Sequence, residues 1–330
     1  MTTATAGHGA APSDDVAPTA EDLVFTVRPA SSPDEEWLIH GRLLIPARGA
    51  RTVQVLLPGL TYDRRYWALP GELDYSAHML RAGHAVLLLD RLGTGASSRP
   101  AAQRVTVDSN VEVIHHVVQQ LRSGTPDGHS FDTVVSVGHS FGSGLAIVEA
   151  ARHADVDALV VTGMLHTMAP LYDEVINFFH PASEDPVIAD PGLPQWYMTQ
   201  RPGLRARMLE HADGIDPEIS RLNEQIKATA TLGEGESLPE TYLPEYSRAV
   251  KVPVLLVVGE HDALFSSEDV AFAARSEAVH DFEKDFYAPE AELESHVIPG
   301  TGHSLNLHRT APDWYALAEH WLDRKLSGSK

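Results

Sequence analysis

The chain contains no cysteine. Disulfides, thiolate nucleophiles and cysteine-ligated metals are therefore excluded, while the redox compartment stays open, because a protein without thiols folds in either. Positive charge is scarce: 25 Lys and Arg stand against 46 Asp and Glu, a formal net charge of −21. That balance disfavours nucleic acid and anionic membrane surfaces, and neither is expected as a partner. Long apolar runs are missing as well, none reaching the roughly 18 residues that a membrane-spanning helix requires. The first 22 residues, rich in Ala, Thr, Pro and Asp, have no basic stretch followed by an apolar one. They do not read as a secretory signal and are expected to form a disordered tail, with a cytoplasmic location as the default. No internal repeat is present.

What remains is an ordinary globular composition, 43% hydrophobic over 330 residues, enough for one large α/β domain or two smaller ones. Short β-branched or leucine-rich runs predict strands near residues 23–27, 37–45, 53–57, 85–89, 134–138, 158–163, 252–259 and 292–298. Helical spacing falls between them, over residues 66–81, 105–122, 145–153, 268–278 and 311–325. Runs such as Ala85-Val86-Leu87-Leu88-Leu89 are apolar throughout, as in strands covered on both faces of a mostly parallel sheet. From about 166 to 249 the rhythm changes. Strand signals stop, prolines cluster (Pro181, Pro186, Pro191, Pro194), and helical patterns occupy 171–179, 204–211 and 219–228. This predicts a helical insertion at 166–249 that divides a core domain made of 23–165 and 250–330.

The stretch that organises the chemistry is VVSVGHSFGSG, residues 134–144. A strand running into Gly-His-Ser-Phe-Gly and then a small-residue helix has the layout of a nucleophile elbow, with Ser140 at its apex. Glycines two before and two after the serine leave space where the backbone turns sharply. Chance supplies a Gly-x-Ser-x-Gly match in roughly one chain in ten of this size. A near-decoy, Gly128-His129-Ser130-Phe131-Asp132, lacks the second glycine and precedes the strand. Context selects Ser140. A serine hydroxyl needs a base, and His303, in a Gly-Thr-Gly-His turn after the last strand, is the best of 18 histidines. The imidazole needs a carboxylate, and Asp262, just past a buried strand, gives the order Ser, Asp, His; Glu260 is the competing assignment. His139 is expected to point away from its neighbour's side chain, either as packing or as support behind the site. The backbone N–H groups of Phe141 and of Leu60, in the loop after the third strand, are the expected donors to an oxyanion.

With those residues in place, the chain resembles the α/β-hydrolases of the capped, esterase- or lipase-like kind. The resemblance is carried by LLPGL (56–60), LLDRLGTGAS (88–97), VGHSFGSG (137–144), VVGEHDALF (257–265) and PGTGHS (299–304), in the family's order. It implies a mostly parallel eight-stranded sheet flanked by helices, a Ser140–His303–Asp262 triad, no cofactor and no metal. One departure is Pro58, where many members carry histidine before the glycine. Serine at position 140 sets the chain apart from the dehalogenase and epoxide hydrolase branches, which use aspartate there. The expected activity is cleavage of a carboxylic ester, thioester or lactone through an acyl-enzyme. A triad-based lyase, elimination or acyl-transfer enzyme of natural-product biosynthesis is the first alternative, and a non-catalytic ligand-binding relative the second. The insertion is expected to roof the site, with His166, Phe178, Phe179, Trp196 and Tyr197 lining a pocket for a small-molecule substrate that is apolar or aromatic in part. Oligomeric state is left open.

Overall fold

Why the apolar runs become one sheet is visible in their burial. The structure, a computed structural model, describes residues 18–265 and 275–326. In chain order the strands are β1 (Thr19–Val27), β2 (Trp37–Ile45), β3 (Thr52–Leu57), β4 (Ala85–Leu89), β5 (Thr133–His139), β6 (Ala158–Thr162), β7 (Phe179–Pro181), β8 (Tyr197–Gln200), β9 (Ala230–Thr231), β10 (Val254–Gly259) and β11 (Glu294–Ile298). Eight of them form one sheet in the order β1-β2-β4-β3-β5-β6-β10-β11. The pairs β1–β2 and β2–β4 are antiparallel and the remainder parallel. Strands β4, β6 and β10 are buried at every residue, whereas β1 alternates buried with exposed from Leu23 onwards. Strands covered on both faces keep no polar alternation; a strand at the sheet's open edge does.

The helices are α1 (Tyr75–Arg81), α2 (Val107–Ser123), α3 (Phe141–His153), α4 (Arg205–Leu209), α5 (Pro217–Gln225), α6 (Leu232–Ser237), α7 (Pro244–Ala249), α8 (Ser276–Glu283) and α9 (Ala311–Leu326). Helix α1 packs with α9, and α3 with α2 and α7. No helix among the described residues is long and apolar enough to cross a membrane.

Four expectations need correction or restriction. Residues 1–17 of the expected tail lie outside the described residues, but Thr19 to Asp22 already belong to β1 and pair with Ile45 to Arg42. Their polar side chains hid a strand made by backbone pairing. The helix expected over 66–81 is broken into 3-10 turns at Arg64–Trp67 and Gly71–Leu73 before α1 begins. Pro70 is extended and Gly71 takes φ +66°, a combination that no helix continues through. The insertion between β6 and β10 is not purely helical, because β7, β8 and β9 form a small antiparallel sheet. Strands of two to four residues are too short to show a period. The helix expected over 268–278 falls largely outside the described residues; α8 starts at Ser276.

Candidate active site

Strand β5 delivers the chain to Ser140 at the centre of the sheet, and α3 carries it away. Ser140 adopts φ 52° and ψ −120°, a conformation that costs a non-glycine residue on the order of 1–3 kcal/mol. The turn is held by Ser140 N–H donating to Thr162 O at 2.8 Å, and by Ser143 N–H donating to Ser140 O at 2.8 Å. The flanking glycines are required by closeness. A Cβ on Gly142 would stand 2.1 Å from Leu57 O, and one on Gly138 would stand 2.4 Å from Ser143 Cα. The decoy Ser130 lies exposed in a surface loop.

Two more strand ends bring a carboxylate and a histidine together. Past β10, Asp262 is fully buried and both its oxygens are used. Oδ1 accepts from the Leu264 and Phe265 amides at 2.9 and 3.2 Å, and Oδ2 accepts from His303 Nδ1 at 2.8 Å. A carboxylate that only accepts fixes Nδ1 as the protonated nitrogen and leaves Nε2 with its lone pair. Glu260 instead accepts from the Gly300 amide at 2.9 Å, which resolves the competing assignment of the carboxylate that meets His303. Ser140 and His303 line one cavity, and among the described residues Ser140 Oγ and His303 Nε2 have no hydrogen-bond partner.

The turn bearing His303 rests on another histidine. His308 is buried; its Nε2 accepts from the His211 and Gly302 amides at 2.9 and 3.0 Å, while Nδ1 donates to Ser304 O at 2.9 Å. Burial holds it well below the usual histidine range, at about 4. His139 is buried beneath the elbow, stacked on Tyr66 at 4.5 Å, and burial pushes it well below its usual range too. It packs there as a neutral ring.

The loop after β3 reaches the same cavity, since Gly59, Leu60 and Phe141 all lie in its wall. Among the described residues neither the Leu60 nor the Phe141 amide is taken by a protein acceptor. Two buried arginines hold this loop, and sequence reasoning singled out neither. Arg91 donates to Pro58 O at 2.9 Å and Gly59 O at 3.1 Å, and pairs with buried Glu234 of α6. Arg205 of α4 donates to Thr61 Oγ1 at 2.7 Å and lies 4.2 Å over the Tyr62 ring. Thr61 sits at φ 58°, so a strained residue next to Leu60 is clamped by a charge-assisted hydrogen bond. Arg91 had a sequence signal, a cation directly after a buried strand in the quoted LLDRLGTGAS. Arg205 had none.

The cavity and the open space at its mouth together span about 500 Å³. Of the five aromatic and histidine residues expected to line it, Phe179 does so. Phe178 is buried under the Arg207 guanidinium, 5.2 Å away. Tyr197 is buried with its hydroxyl donating to Pro100 O at 2.9 Å, and Trp196 is 49% exposed. His166 is buried in a cluster of its own: Nδ1 meets Glu283 at 2.6 Å, Nε2 meets Ser247 Oγ at 3.0 Å, and the ring stacks on Phe286 at 4.4 Å. Composition marked the insertion as aromatic but could not say which face each ring takes. The wall is made instead by Phe179, Tyr172, Tyr242, Met208, Leu264 and Phe265, with Gln200 as a polar side chain among them. His115, Glu149 and Asp155 are grouped with metal-ligand chemistry, but Glu149 is nine residues along α3 from Ser140, about 13 Å. Burial raises its carboxyl to about 10, with Asp155 adding to the shift.

Comparisons with known proteins agree with this architecture. An esterase from Pyrococcus furiosus superposes with a TM-score of 0.55 at 14% identity, over 98% of this chain and 97% of that one. A monoacylglycerol lipase from Paleococcus ferrophilus gives 0.57 at 18%, over 84% and 95%, and an α/β hydrolase from Penicillium sp. sh18 gives 0.62 at 16%, over 94% and 99%. At such identities the likeness is one of fold. No curated protein matches the sequence. The family model described as the alpha/beta hydrolase family matches residues 54–318, from the strand before the Leu60 loop to the last helix, and the chain belongs to that family.

Proposed function

We propose that the protein is a serine hydrolase that cleaves a carboxylic ester, thioester or lactone through an acyl-enzyme on Ser140. The observation that carries this reading is the buried Asp262–His303 pair at 2.8 Å facing the same cavity as a serine on a strained elbow. In this mechanism His303 Nε2 takes the Ser140 proton as Oγ attacks the carbonyl carbon. The Leu60 and Phe141 amides receive the developing negative charge on the carbonyl oxygen. The imidazolium, stabilised by Asp262, then gives its proton to the leaving alcohol, thiol or, in a lactone, the ring oxygen. Water, deprotonated by His303, attacks the acyl-enzyme and releases the acid. Residues 166–249 act as a cap over a core of 23–165 and 250–330. Supporting this, the insertion contributes Tyr172, Phe179, Gln200, Met208 and Tyr242 to the cavity wall, while Ser140 and His303 come from the sheet. The apolar wall suits a small molecule with hydrocarbon or aromatic character. The test is labelling by a fluorophosphonate, with a panel of p-nitrophenyl esters alongside thioesters and lactones. A single adduct on Ser140 and turnover of at least one substrate class are expected; an unlabelled Ser140 in folded protein overturns the reading.

A further inference from the structure

Gln200 closes β8 and lies in the cavity wall, 1% exposed. The orientation of its amide is fixed by chemistry. Oε1 accepts from Arg205 Nη1 and from Thr61 Oγ1, the latter at 3.1 Å. A guanidinium has donors only, so the atom facing it is the carbonyl oxygen and the two N–H groups occupy the other end. That nitrogen has one acceptor among the described residues, Met208 Sδ at 3.7 Å, a weak thioether acceptor that itself belongs to a cavity-lining residue.

The neighbouring polar groups are committed elsewhere. The Tyr62 hydroxyl bridges Asn223 Oδ1 and Ser304 Oγ, each at 2.9 Å, and the Tyr172 and Tyr242 hydroxyls face one another at 3.5 Å. The Gln200 amide is thus a buried donor held in place by a buried arginine and lacking a strong acceptor, in a wall whose tyrosine hydroxyls are already paired. A donor in that state gains more from a ligand oxygen than an exposed one does, because it gives up no hydration to form the bond.

We propose that Gln200 is a specificity-determining residue whose Nε2 donates to a second oxygen of the substrate, separate from the carbonyl that Ser140 attacks. The substrate class is then an oxygen-bearing ester or lactone, with a keto, ether or hydroxyl oxygen within its hydrocarbon part, in preference to a plain hydrocarbon ester. Arg205 acts through Gln200 as a positioning residue. This rests on the reading of Ser140 as the nucleophile.

The test is a ratio of kcat/KM values for matched p-nitrophenyl esters, each hydrocarbon acyl chain against its counterparts with a keto or ether oxygen placed at successive positions. The wild type is expected to favour one oxygen position by about tenfold, the worth of one hydrogen bond. Gln200→Glu keeps an oxygen towards Arg205 but replaces the donor by an acceptor, and should bring that ratio to one or below. Gln200→Met should do the same without adding charge. A wild-type ratio near one at every position, or a ratio that survives in a folded Gln200→Glu protein, overturns the proposal. If neither variant folds, the wild-type series decides alone. Labelling of Ser140 with no oxygen preference sinks the Gln200 assignment only, whereas no labelling and no turnover sinks the nucleophile reading and takes this proposal with it.

Discussion

Among the described residues there are two serine–histidine–carboxylate constellations, and the better hydrogen-bonded one is not in the cavity. His166 bridges Ser247 Oγ at 3.0 Å and Glu283 at 2.6 Å, whereas His303 meets Asp262 at 2.8 Å without reaching Ser140. The first is sealed: the His166 side chain is 3% exposed, Ser247 and Glu283 are fully buried, and the serine also donates to Pro244 O of its own helix at 3.3 Å. It ties the exit of β6 to α7 and α8. The second opens on a cavity, its serine stands at φ 52°, and amides without protein acceptors lie in the same wall. On the function proposed above, a relay of hydrogen bonds does not by itself make a nucleophile. Strain that presents the hydroxyl, room for a carbonyl and donors for its oxygen distinguish the two.

That comparison can be broken most directly at the serines. Ser140→Ala should lower ester turnover by at least about 10³-fold, because the nucleophile and its base act as a unit. Ser247→Ala should change kcat/KM less than about twofold. Steady-state assays of the two variants decide, and a large loss in Ser247→Ala would assign the chemistry to the wrong constellation. Next in size is the histidine of the sealed site. His166→Ala leaves the buried Glu283 carboxylate without its imidazole, which should destabilise the fold by about 3 kcal/mol in denaturant unfolding. Retained stability would mean that the His166–Glu283 contact does not hold these elements together.

A third effect, of similar size at most, concerns how the histidine of the open site is supported. The turn bearing His303 depends on a neutral His308, held near 4 against an ordinary value of 6.5. Its folded value is depressed, so the unfolded chain binds the proton first. Stability from this group is present above about pH 6.5, falls as pH drops towards 4, and is lost below it, about 3 kcal/mol in all at most. Melting temperatures at pH 7 and 4.5 should therefore differ less in His308→Gln than in the wild type. Equal pH slopes would remove His308 from the account. Among the described residues no histidine plays that part for the sealed site.

Much of this was legible before any coordinates. The continuous apolar runs at 85–89 and 158–162 could only be strands covered on both faces, and they are. The elbow, with glycines two residues either side of Ser140, could be read because steric exclusion acts on neighbours in sequence. Asp262 and His303 were legible because each directly follows a strand end. The edges were harder. Thr19 to Asp22 carry no apolar signal, since a pairing made by backbone N–H and C=O groups is indifferent to side chains. The strands of the insertion were too short for a period, and its aromatics could not be sorted into wall and filling.

What the sequence by itself determined is whatever is enforced between near neighbours: strand periodicity, the turn at Ser140 and the order of the reactive groups. Tertiary structure alone decided the rest. It joined Arg91 to Glu234 over 143 residues and set Arg205 on Thr61 over 144, shaping the loop that carries the Leu60 amide. It also turned His166 away from the cavity and Gln200 towards it. The physical reason is that these contacts depend on burial and on which polar partners remain after the chain has folded. Neither quantity belongs to any local stretch of sequence.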